Sequence, residues 1–158
     1  MYSPTANFVA GQLVVCQDYY CEQYDYHNDG LTKFTDTRSI RNYHSSAQHE
    51  ERILLIGGYC SEGSTEWIPT DGGDSQIGPF VVRHAGGHCT IQVSSDLIVV
   101  TDGGLALYPD YPTLNYVTEY QLTGDAIETV MTSLINGRDR HACGVYQEAG
   151  GQQVRISW

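Results

Sequence analysis

Three histidines recur in similar company: His44 follows RNY, His88 follows RHAGG and His141 follows RDR. An imidazole beside guanidinium groups suits metal ligation, proton transfer or carboxylate recognition. Metal ligation needs side chains that converge on one point. His44, His88 and His141 lie 44 and then 53 residues apart. That spacing suits one structural position in successive units, bonding between them, better than a shared metal centre. His27, His49 and His84 read as surface residues. Arg41, Arg83, Arg138 and Arg140 stand near the recurring histidines. Their structural role is ion pairing with Glu66 or Glu119; their alternative role is a basic spot for a partner's carboxylate. Arg41, Arg83 and Arg140 are therefore carried forward as candidate partner-binding residues. Tyr108, Tyr111 and Tyr116 join them, because LYPDYPTLNY is an aromatic, proline-stiffened loop and amphipathic rings dominate protein interfaces. No nucleophile elbow, phosphate loop, zinc-protease helix or dinucleotide fingerprint occurs, so no catalytic residue, metal or cofactor is assigned.

The elements that hold these residues are set by an internal repeat. The tetrapeptides CEQY, STEW and VTEY end in Tyr24, Trp67 and Tyr120, and a recurring histidine follows each after 20, 21 and 21 residues. Two apolar runs end in paired glycines, RILLIGG at Gly57 and Gly58 and LIVVTDGG at Gly103 and Gly104. From His88 onward, HCTIQV, LIVVT, VTEYQL and ETVMTSL read as four strands joined by turns at SSD, the long tyrosine loop and TGDA. The unbroken apolar run LIVV predicts a strand buried on both faces.

Four short strands, a double glycine, an aromatic on the third strand and an arginine before the next unit resemble the kelch-repeat family. The residues carrying the resemblance are ILLIGG with Trp67 and Arg83, and IVVTDGG with Tyr120 and Arg138 or Arg140. The resemblance implies an all-β fold, a partial kelch-type β-propeller of about three four-stranded antiparallel blades. The units fall near residues 1–37 (partial), 38–82, 83–138 and 139–158 (partial). The first departs from the motif, with Gln17 and Asp18 where glycines belong. Propellers close with 4–8 blades, so the expectation is a piece of a larger ring, completed by further blades or by self-association. The implied function is a non-catalytic module binding a protein partner. The alternatives are part of a copper radical oxidase, whose relatives use Tyr and His ligands with a Cys–Tyr crosslink, or a truncated product without independent function.

Nineteen acidic against eight basic side chains give a net charge of −11, which argues against nucleic acid or an anionic membrane as partner. Cys16, Cys21, Cys60, Cys89 and Cys143 are odd in number and irregular in spacing. Cys16 and Cys21 are close enough to pair; Cys89 and Cys143 fall in different units, and buried inert thiols are the default. The N-terminus lacks the basic start and apolar core of a signal peptide. Together these features point to a soluble protein of a reducing, cytoplasmic compartment.

Overall fold

The computed structural model describes residues 4–59, 64–81, 86–101, 103–104, 113–123, 128–133, 135–137, 142–148 and 151–157. Every regular element among them is a β-strand. The first sheet is formed by β1 (Thr5–Val9), β2 (Gln12–Asp25) and β3 (Gly30–Arg41). The second contains β4 (Ser45–His49), β5 (Arg52–Ile56), β6 (Ser64–Pro69) and β7 (Gln76–Val81). The third contains β8 (Cys89–Gln92), β9 (Leu97–Thr101), β10 (Tyr116–Gln121) and β11 (Glu128–Ser133). A fourth is the hairpin β12 (Ala142–Glu148) and β13 (Gly151–Ser157). All pairings are antiparallel, in sequence order. The four strands read from HCTIQV onward are β8 to β11. Among the described residues, two sheets thus have the four strands the repeat implies, while the first has three and the last two.

Alternation along the strands decides what packs where. On the second sheet, Leu54, Ile56 and Trp67 point one way and meet Ile98, Val100, Tyr120 and Leu122 of the third. Ile53, Leu55 and Ile68 point the other way and meet Val9, Val14, Cys16 and Cys21 of the first. Ile91, Val99 and Val117 turn from the third sheet towards Cys143 of the fourth. The second and third sheets are therefore covered on both faces. This is why Ile98 to Thr101 are all buried and the run does not alternate with polar residues.

Register refines the repeat. Ser45 pairs with Ile56, and Cys89 with Thr101. The bridges Asn42 to Tyr59 and Gly86 to Gly104 follow in the same places. Gly58 is consequently the counterpart of Gly103, one step out of line with the matching of glycine pairs. Their φ angles agree, +101° and +106°. A Cβ on Gly58 would lie 3.1 Å from the Cβ of His44, and one on Gly103 would lie 2.9 Å from that of His88. Each glycine provides a backbone conformation and a clearance that a side chain would remove. Thr5 pairs with Cys16, which puts Asp18 at the same place in the first sheet, also at positive φ (33°).

The aromatic positions need correction. Trp67 and Tyr120 both occupy third strands, but Trp67 pairs with Leu54 and Tyr120 with Ile98. Leu54 is the counterpart of Val99, not of Ile98. The two rings therefore face opposite ways on their own sheets and meet from opposite sides of one core. A one-residue change of register is enough to turn a side chain over. Tyr24 is further from expectation. It lies on the arm of the β2–β3 hairpin, half-buried, with its hydroxyl donating to Asp29 and its ring 4.9 Å from that of Tyr26.

Cys16 is bonded to Cys21 within β2, and Cys89 to Cys143 between the third and fourth sheets. The second bridge overturns the expectation of inert thiols in separate units, because β8 and β12, the first strands of their sheets, lie side by side. No helix among the described residues is long and apolar enough to cross a membrane.

Candidate functional site

At one end of the sheets, second strands finish and first strands begin, and a connection of each of the first three sheets lies there. In the second sheet the amide of Tyr59 donates to the carbonyl of Asn42 at 2.8 Å, and the reverse bond is 3.3 Å. The third sheet repeats this with Gly104 and Gly86, at 2.8 and 3.2 Å. The amide of Gly87 then donates to the carbonyl of Tyr43 (2.9 Å), joining the ends of the two sheets. Tyr43 has φ +58°, uncommon for a bulky residue. Its ring meets Tyr59 edge-on at 5.7 Å. The Tyr59 ring also lies over Gly86, where a Cβ would come within 3.3 Å of it.

The first sheet carries a different device at the same end. The Cys16–Cys21 bridge closes the sequence CQDYYC into a loop within β2, with register shifts between Asp18 and Tyr20 and between Cys21 and Glu22. Gln17 donates to the hydroxyl of Tyr20 at 2.7 Å and to Glu22 at 3.2 Å. Tyr19 stacks edge-on against Tyr20 at 5.2 Å and is 55% exposed. One carboxylate oxygen of Asp18 is enclosed without a hydrogen-bond partner among the described residues. The bridge holds an exposed ring on a backbone that β2 would otherwise keep extended.

Below this end sits a buried ion pair. Arg41 donates through Nε and Nη2 to one oxygen of Glu66, both at 3.2 Å, and through Nη1 to the carbonyls of Gly57 and Ser64 at 2.8 and 2.7 Å. Its Nη2 also reaches the Ser64 hydroxyl at 3.1 Å. The other Glu66 oxygen accepts from Ser75 and from the amide of Arg38, at 2.6 and 2.5 Å. Burial holds the Arg41 pKa below its usual value, against the opposing pull of Glu66. Both side chains are fully enclosed, so Arg41 joins the first sheet to the second and is not presented to a partner. The ion pairing anticipated for it with Glu66 is what the structure contains. Register makes Thr118 the counterpart of Glu66, so Glu119 does not occupy that place.

His44 also joins sheets. Its Nδ1 donates to the carbonyl of Arg41 (3.3 Å), and its Nε2 shares a hydrogen bond with Thr5 on β1 (3.1 Å). Burial, with the nearby Arg41 charge, lowers its pKa to about 4, so the ring is neutral at pH 7. His88 holds the corresponding place beside Gly103 and is buried. His49, expected at the surface, is instead buried, donating to the carbonyl of Ser95 at 2.9 Å. It lies beside Trp67, over which the Arg52 guanidinium stacks at 4.5 Å.

Of the proposed partner-binding residues, Tyr116 is the first residue of β10 and half-buried, on a strand instead of a loop. Tyr108, Tyr111, Arg83 and Arg140 lie outside the described residues, as do Arg138, His84 and His141. Sequence reasoning passed over Tyr19, Tyr43 and Tyr59. The available signal for Tyr19 was the five-residue spacing of Cys16 and Cys21 around two tyrosines. No three His, Cys, Asp or Glu side chains converge on a metal-sized site among the described residues.

No family model matches the chain. No curated protein matches it either. Among solved structures, the chain is similar to one described as "Structure of YjhT", with a TM-score of 0.72 at 11% identity. The superposition covers 90% of this chain and 55% of that one, so the present chain spans about half the length of its neighbour. At this identity the likeness is one of fold.

Proposed function

We propose that the chain is a section of a kelch-type β-propeller acting as a non-catalytic module for a protein partner. In this reading each sheet is a blade, β1, β4, β8 and β12 line the axis, and the glycine-turn end is the binding face. The observation that carries the reading is the disulfide-closed loop CQDYYC, which holds Tyr19 exposed at the end where Tyr43 and Tyr59 also gather. Rigid aromatic side chains suit an anchor role because little rotamer freedom is lost on binding.

The copper-oxidase alternative requires a cysteine free to bond a tyrosine. Four of the five are in disulfides, which leaves Cys60, outside the described residues, as the sulfur such a crosslink would use. The two disulfides also favour an oxidising compartment over the cytoplasm, since such bonds persist where thiols are not kept reduced.

The test is capture of partners by the 158-residue chain and by a Tyr19→Ala/Tyr43→Ala variant. Captured proteins should fall at least tenfold in the variant. Equal capture by the two would remove this end from the binding face, and stoichiometric copper in the purified protein would favour the oxidase.

A further inference from the structure

Beyond β11 the chain bends at residues 135–137. Ile135 is 99% exposed and Asn136 is exposed beside it, so the bend stands clear of the sheets. Gly137, which follows, is packed. A Cβ there would lie 2.5 Å from the carbonyl oxygen of Leu114 and 3.2 Å from that of Thr113. A side chain at 137 would have to displace backbone, so the packing keeps this residue a glycine. An exposed asparagine therefore stands immediately before an obligatory glycine, and the chain has no other Asn–Gly pair.

That dipeptide is chemically labile. Asparagine is a thermolabile residue, because its side-chain carbonyl carbon can be attacked by the amide nitrogen of the next residue. Glycine leaves that nitrogen unshielded and lets the backbone bring the two atoms together. Among the described residues, no backbone carbonyl accepts from the Gly137 amide. The other four asparagines are placed differently, each followed by a residue whose side chain shields the nitrogen: Phe8, Asp29, Tyr43 and Tyr116. Asn7 is also held by Ser46 at 2.9 Å, Asn28 donates to Asp25, and Asn42 is bridged to Tyr59.

We propose that Asn136 is a self-modification site, converting to aspartate and isoaspartate through a cyclic imide with the Gly137 nitrogen. Hydroxide takes the proton of that nitrogen, the nitrogen bonds to the Asn136 side-chain carbonyl carbon, and the side-chain amide nitrogen leaves as ammonia. Water then opens the imide at either carbonyl. No oxidant or further reagent is needed, and the chemistry holds whether or not the sheets belong to a propeller. Both products add one negative charge to a chain already at −11. Isoaspartate also routes the backbone through the former side chain, one methylene longer, directly ahead of the packed Gly137. Leu114, on which Gly137 rests, donates its amide to the carbonyl of Gly103 at 2.7 Å, and Thr113 is bridged to Gly104. The added backbone atom thus presses on the segment bonded to the glycine turn, and the Leu114 hydrogen bond opens more often.

The folded 158-residue chain, with its disulfides intact, should be aged in mildly alkaline buffer and analysed by peptide mapping. Asn136 should convert at least tenfold faster than Asn7, Asn28, Asn42 or Asn115, with isoaspartate identified at 136 by electron-transfer fragmentation. Conversion should slow in mildly acidic buffer, where less of the attacking nitrogen loses its proton, and Asn136→Gln should abolish it. The Leu114 amide should exchange hydrogen at least tenfold faster in the isoaspartyl chain than in Asn136→Asp, which adds the charge without the extra backbone atom. An intact Asn136 after ageing, or conversion no faster than at the other asparagines, would overturn the site. Equal exchange at Leu114 in the isoaspartyl chain and in Asn136→Asp would overturn its coupling to the glycine turn.

Discussion

Replacing Arg41 with methionine removes the cation from a site where both members of the ion pair are fully enclosed. Glu66 then keeps only Ser75 and the Arg38 amide, and the carbonyls of Gly57 and Ser64 each lose the donor they take from Nη1. Removing one partner of a buried pair costs about 3–5 kcal/mol, because the remaining charge stays desolvated. The loss of these two further hydrogen bonds places Arg41→Met towards the upper end, although the Ser64 carbonyl keeps the amide of Gly57 at 3.1 Å. For a chain of this size that corresponds to a fall in Tm of roughly 6–20 °C. Glu66→Met alone should cost a similar amount by stranding the guanidinium. The double variant should cost less than the sum by at least about 2 kcal/mol, because neither charge is left alone. Urea titration followed by circular dichroism measures all three. A cost below about 1 kcal/mol for Arg41→Met, or strict additivity in the cycle, would refute the view that this pair locks the first two sheets together.

The folded pKa of His44 is about 4, below the ordinary value near 6.5, so its contribution is complete above pH 6.5 and is lost as pH falls towards 4. Over that window the loss amounts to about 3 kcal/mol, and His44→Gln should flatten the measured slope of stability against pH. Thiol titration of the unfolded, unreduced chain should find one free cysteine, Cys60, and five after reduction. Loop-closure entropy assigns about 4 kcal/mol to the Cys89–Cys143 bridge and about 2 kcal/mol to Cys16–Cys21, so paired alanine substitutions should rank in that order by denaturant midpoint. Gly103→Ala sets a Cβ 2.9 Å from the carbonyl of Gly86 at φ +106°, whereas at Gly72 the nearest atom is 3.8 Å away. The first substitution should lower Tm clearly more than the second, although both sites have positive φ.

Much of the architecture was legible in short-range pattern. The apolar run before Gly103, the alternation in HCTIQV and the turn at SSD each depend on neighbours in sequence, and β8, β9, β10 and β11 lie where those features put them. What depended on register was less legible. Nothing in VTEYQL marks whether Tyr120 or Glu119 faces the preceding sheet; pairing with β9 decides it, and a single step exchanges the two. The match of Trp67 with Tyr120 by spacing therefore located the right strand and missed the face. Arg41 shows the same division. Its recurrence beside the histidines signalled a structural role with Glu66, yet its burial came from long-range packing of β3 near β6. The Cys89–Cys143 bridge was hidden because the residues lie 54 apart, and only the adjacency of β8 and β12 brings them together. Nothing next to His49 in sequence, where Gln48 and Glu50 are polar, marks it as buried; alternation on β4 turns it towards Trp67.

The central claim is that β1, β4, β8 and β12, the first strands of the four sheets, stand side by side in that order. Asn7 and Ser46 touch at 2.9 Å, Ser45 and Thr90 at 2.5 Å, and Cys89 and Cys143 are bonded, so each neighbouring pair of strands has a contact that sulfur can report. In a Cys60→Ser background, Asn7→Cys/Ser46→Cys and Ser45→Cys/Thr90→Cys should each form one new intramolecular bridge, with Cys89–Cys143 retained in the peptide map. Failure of both new bridges, or a map joining Cys89 to Cys16 or Cys21, would contradict the account.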